Sequence, residues 1–104
     1  GAQLMQPRDP VDETIELARD AAERDDGVAA VQYLELALRR GKVDFDQAAL
    51  LRVAEAAEEL GLESLERGDE AEAVEIWGIA HHGFMEAGDR ESAARMNRLL
   101  NGTP

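Results

Sequence analysis

One pattern that occurs twice at a single offset constrains this chain more than any other feature of it. Ala30, Leu34 and Ala37 recur as Ala73, Trp77 and Ala80, 43 residues further along. The same shift lays Asp25-Asp26 on Gly68-Asp69 and Leu17-Ala18 on Leu60-Gly61. Small, large and small side chains at steps of four and three share one face of a helix, as closely packed antiparallel helices need. A glycine such as Gly68 ends a helix in the left-handed conformation, and an aspartate directly after it caps the next. The repeated unit is thus a helix, a tight turn and a second helix. Agreement over a whole hairpin is far stronger than one matching motif.

The remainder of the sequence fits helices. All three prolines (Pro7, Pro10, Pro104) lie at the ends, so Val11 to Thr103 is free of them. That interval is dominated by Ala, Leu, Glu and Arg and is sparse in β-branched residues, which favours helix over strand. The expected class is all-α, with about five helices. A length of 104 residues suits one domain with a modest core. We place it at about 10–104, after a loose arm at 1–9 that opens with the Gly-Ala of a cloning scar.

The Leu60-Gly61 pair, the Gly68 turn and the Ala73, Trp77, Ala80 face together resemble the tetratricopeptide repeat. The resemblance spans about Val11 to Leu100. It implies a right-handed array of helical hairpins, with unit one at about 11–44, unit two at about 45–87 and a capping helix at about 90–101. The sequence departs from that family at Ala21 and Ser64, where aromatics are expected, and in lacking a proline between units.

In chain order, Asp9 and Pro10 open a helix to about Arg24, and Asp25-Asp26-Gly27 breaks it. Ile15, Ala18, Ala21 and Ala22 form its apolar stripe. The second helix runs from about Val28 to Arg40 with Gly41 as its stop, and Arg39, Arg40 and Lys42 are favourable cations at its end. The 43-residue offset exceeds the usual repeat of about 34, and the surplus falls at Phe45 to Val53. Val43-Asp44 ahead of Gln47 reads as a staple and capping box, so the third helix is expected over about 45–67, about 14 Å longer than usual. Phe45, Ala48, Ala49, Leu50, Leu51 and Val53 are too apolar to stand alone in water. The arm, the last helix or a second copy must cover them. A fourth helix follows at about 70–87, with Asp69 as cap and Glu72 in the capping-box position. Gly88-Asp89 repeats the break before a last helix carrying Ala93, Met96 and Leu100.

Charge and motifs narrow the function classes. A net charge of −12 repels phosphates, so neither nucleic acid nor an anionic membrane is an expected partner. There is no cysteine, and no apolar run approaches the ~20 residues of a membrane span. Neither a signal-peptide pattern nor a transmembrane segment is read, and the expected setting is cytoplasmic. No phosphate loop or HExxH signature occurs, so the chain is read as non-enzymatic and without cofactor or metal. His81 and His82 are neighbours on a helix, about 100° apart, and cannot readily chelate one ion together. Trp77 is read as a core residue.

The acids are the informative polar residues. From Glu55 to Glu75 there are nine, against one base, Arg67. Glu55, Glu59, Glu63 and Glu66 form a stripe at helical spacing with Glu58 beside it, and like charges one turn apart are unfavourable. In the resembled family the first helix of each hairpin lines a peptide-binding groove. Carried over, that face holds Asp12, Ile15, Arg19 and Glu23 in unit one and Glu55, Glu58, Leu62 and Glu66 in unit two. The lysine and asparagine clamp that some members use for a peptide's terminal carboxylate is absent. The expected function is a protein-interaction module for a peptide or protein segment, basic or mixed basic and apolar. One alternative is a homodimer formed through Phe45, Leu50 and Leu51; a further one is a small metal-binding protein or enzyme relying on His81 and His82. The bland reading of the stripe is a solvated face.

Overall fold

The computed structural model describes residues 9 to 102. The arm expected ahead of Asp9 lies outside the described residues. Five helices follow one another: α1 (Pro10–Glu23), α2 (Gly27–Val43), α3 (Gln47–Glu66), α4 (Glu70–Ala87) and α5 (Arg90–Leu100). Among the described residues there is no strand, and no helix is long and apolar enough to cross a membrane.

All four connections use one device. Asp25, Phe45, Gly68 and Gly88 take φ of 60°, 51°, 88° and 82°. In each case the next residue is an aspartate. The backbone N–H groups of Asp26, Asp46, Asp69 and Asp89 donate five residues back, to the carbonyls of Ala21, Gly41, Ser64 and Phe84. Their side chains accept the N–H of Ala29, Ala49, Glu72 and Ser92. One aspartate therefore closes a helix through its backbone and opens the next through its carboxylate, satisfying orphan groups at both ends. So short a reversal makes successive helices antiparallel.

Two hairpins result, α1/α2 and α3/α4, and α5 packs back on α4. α3 also meets α1 and α2, while α2 reaches α4. The repeat residues form the core: Ala30, Leu34, Ala37, Leu60, Ala73, Trp77 and Ala80 are all buried. Ala93 and Met96 of α5 complete it.

Three expectations are corrected. First, α2 does not stop at Gly41 but continues to Val43. Gly41 is buried, and a Cβ there would come 2.9 Å from Leu50 Cδ2, so this glycine makes room for a leucine rather than ending a helix. Second, α3 starts at Gln47, not Phe45, and its cap is Asp46, not Asp44. The left-handed turn puts the capping position one residue after Phe45, which leaves Phe45 and Val43 in solvent. The surplus residues are thus shared between the last turn of α2, the connection and α3. Third, Glu72 does not close a capping box. Its carboxylate accepts from the Ser64 hydroxyl at 2.6 Å and from Arg67 at 3.2 Å, and lies against Gly27 at the start of α2. Buried Ser64 stands where an aromatic was expected because this polar junction, rather than a ring, fills the space.

The apolar run after Phe45 is covered from within the chain. Leu50 and Val53 are buried and Leu51 is half-buried against the core. Among the described residues no buried side-chain nitrogen or oxygen lacks a hydrogen-bond partner.

Candidate partner-binding face

α1, α3 and α5 present neighbouring surfaces, and two depressions of ≈ 400 Å³ each flank the ridge formed by Glu55 and Glu59 of α3. The first lies between α1 and α3 and brings together Asp12, Ile15, Arg19, Arg52 and Glu55. The second is apolar and is lined by Leu62, Leu65, Trp77 and Leu99, with Glu58 on its rim.

Its construction starts at Gly61. A Cβ on that residue would come 2.4 Å from Trp77 Nε1, so only glycine admits the indole of α4 against α3. Trp77 Nε1–H then donates to the Glu58 carbonyl at 3.2 Å. The ring is 5% exposed and becomes the floor of the depression, while Leu62, Leu65 and Leu99 are 52%, 41% and 42% exposed around it. Three half-exposed leucines meeting over a tryptophan make a contiguous apolar patch, in contrast to apolar residues scattered singly.

The acids around it divide into two groups. Arg95 of α5 binds Glu58 through two bonds of 2.8 Å, and Arg19 of α1 reaches Glu59 at 3.1 Å. Arg52 of α3 binds Asp12 at 2.7 Å and Asp9 at 3.4 Å. The hydrogen bond it donates to Asp12 holds the Arg52 guanidinium above its ordinary pKa, and those donated to Glu58 do the same for Arg95. Glu55, Glu63 and Glu66 form no ion pair among the described residues. The pairs that do form are partly exposed, where such contacts contribute about 0–1 kcal/mol each. A competing cation can replace them at small cost.

Of the residues placed on the groove by sequence, Asp12, Ile15, Arg19 and Glu55 come together in the first depression. Glu55, Glu58 and Leu62 share the second. Glu23 and Glu66 are exposed at the C-terminal ends of α1 and α3 and line neither. Glu58, beside the carboxylate stripe, is engaged by Arg95, and the stripe itself is interrupted at Glu59, engaged by Arg19. Leu65, Leu99, Arg52 and Arg95 were not foreseen. The arginines had a signal: Arg95 follows Arg52 by the same 43 residues that relate the two hairpins, as Asp89 follows Asp46. Trp77 was assigned to the core, and it is both core and floor.

Away from this face, His82 Nε2 lies 3.3 Å from Glu86 and 3.2 Å from Lys42 Nζ. Among the described residues no three His, Cys, Asp or Glu side chains gather as a metal site. Compared with known proteins, the chain matches no family model, no curated protein and no solved structure, so its chemistry is read from these residues alone.

Proposed function

We propose that the chain is a non-enzymatic interaction module that holds a segment of another protein across α1, α3 and α5. An apolar side chain of the segment enters over Trp77 between Leu62, Leu65 and Leu99. Lysine or arginine flanking it meets Glu55 in the lining and Glu63 further along α3, neither of which forms an ion pair among the described residues. The observation that carries this reading is the juxtaposition of an open apolar depression with the unpaired Glu55 carboxylate, in a chain of net charge −12. Apolar contact supplies affinity, and the acids supply selectivity and speed of encounter. The reading remains close to the groove that the tetratricopeptide resemblance implies, displaced towards α5.

Calorimetric titration against two peptides of equal apolar content, one basic and one acidic, tests it. Binding to the basic peptide alone, weakened by added salt and by Glu55→Lys, supports the module. Equal binding to both, or none to either, contradicts it.

A further inference from the structure

Phe45 occupies a position that glycine favours. Its φ is 51°, in the α2–α3 turn, whose counterpart between α4 and α5 uses Gly88. A bulky residue with positive φ is strained, and its burial does not offset that strain, for Phe45 is 92% exposed. Val43 and Met85 nearby are 75% and 54% exposed. Among the described residues this ring gains almost no burial.

Beside it lies a depression of ≈ 520 Å³, lined by Leu50, Met85, Ala87, Gly88 and Phe45 itself. Lys42, Gln47 and Glu86 complete its wall. The α2–α3 and α4–α5 turns form its walls, held together by the Gln47 side-chain amide, which donates to the Ala87 carbonyl. A projecting ring and a hollow with apolar residues at Leu50, Met85 and Ala87 thus sit side by side on one surface. That is the arrangement an isologous two-fold contact requires, each copy placing its ring in the other's hollow.

Charge selects the occupant. Most of the surface of a −12 chain repels a second copy. The linings of this hollow and of the neighbouring surface of α2 hold three bases, Arg39, Arg40 and Lys42, against two acids, Asp44 and Glu86. A patch without an excess of acid lets two acidic chains meet and lets basic residues of one face acids of the other. A basic partner would instead be drawn to Glu55 and Glu63. We infer that a second copy of this chain docks here, with Phe45 as the anchor. The contact uses Val43, Phe45 and Met85; buried Leu50 only lines the hollow, and Leu51 takes no part. It is independent of the Trp77 depression.

Light scattering on the full chain from about 10 μM to about 1 mM tests this, since a reversible dimer shows a mass that rises with concentration. The expected mass approaches twice that of the chain. Phe45→Gly suits the positive φ, so it folds, and it should raise the dimer dissociation constant at least about tenfold. Leu62→Glu, in the other depression, should leave the dimer unchanged. A monomer throughout the range overturns the proposal. So does a Phe45→Gly chain that dimerises as before, a dimer abolished by Leu62→Glu, or growth beyond two copies.

Discussion

Trp77 Nε1 would lie 2.4 Å from a Cβ on Gly61, so the indole and the missing side chain are alternatives for the same space. Gly61→Ala therefore forces the ring, and the hydrogen bond it gives to Glu58, out of place. The gain of about 1 kcal/mol in helix propensity is outweighed by an overpacking cost of about 1–3 kcal/mol. We expect a net loss of about 1 kcal/mol and a shifted, more solvent-exposed emission from the chain's one tryptophan. Gly78→Ala is the control: nothing lies within 4 Å of a Cβ there, so it should stabilise by about 0.5–1 kcal/mol. Denaturant unfolding of the two variants should move in opposite directions.

Ser64, Glu72 and Arg67 make a second testable unit. The Ser64 hydroxyl donates to Glu72 at 2.6 Å, Arg67 reaches the same oxygen, and Ser64 is 1% exposed. Ser64→Ala and Glu72→Ala should each cost about 1 kcal/mol, because each removes the Ser64–Glu72 bond while the partner keeps a second contact, Ser64 with the Leu60 carbonyl and Glu72 with Arg67. The double variant should cost less than the sum, leaving a coupling of about 0.5 kcal/mol or more. Additive losses would show that the contact contributes nothing.

Acid should loosen α5 through its cap. The Ser92 backbone N–H, and after it the Ser92 hydroxyl, hold the Asp89 carboxyl below the ordinary carboxylate value. A lowered folded-state pKa stabilises the fold above the unfolded value of about 3.9 and is lost as pH falls through the folded one. Amide hydrogen exchange at Ala93 to Met96 should therefore show no protection lost through this group near neutral pH, and a loss below about pH 4. Asp89→Ala should abolish that pH dependence in α5.

Arg95 holds Glu58 with two bonds but is substantially exposed. Arg95→Gln should change stability by no more than about 1 kcal/mol. It also frees a carboxylate on the rim of the Trp77 depression. Basic peptides should then bind more tightly, and paired titrations of the parent and the variant would measure it. Weaker binding after the change would place the arginine itself among the contacts.

The hairpins could be read from the sequence because their determinants are local. Ala30, Leu34, Ala37 and their partners 43 residues on mark the packed faces, and the Gly68-Asp69 pair marks both a stop and a start. Phe45 shows where such reading fails. No local propensity places a phenylalanine in a left-handed turn, so the helix start was set too early and the cap at Asp46 was passed over. Gly41 misled for a related reason: a glycine near a helix end resembles a stop, while its actual role depends on Leu50 of the next helix. The candidate face was half legible. Its α1 and α3 members follow from the tetratricopeptide resemblance, but the arginines that neutralise Asp12, Glu58 and Glu59 arrive from about 40 residues away. Leu99 joins only because α5 folds back beside α3.

The Trp77 depression is the centre of this account, and the tryptophan that floors it is the only one in the chain. Its emission should be followed while a peptide with one large apolar residue between lysines or arginines is added. The account predicts a saturable spectral change at low salt, lost with Leu62→Asp and unaffected by Phe45→Gly. An emission spectrum unchanged at saturating peptide, or the same change in the Leu62→Asp chain, would contradict it.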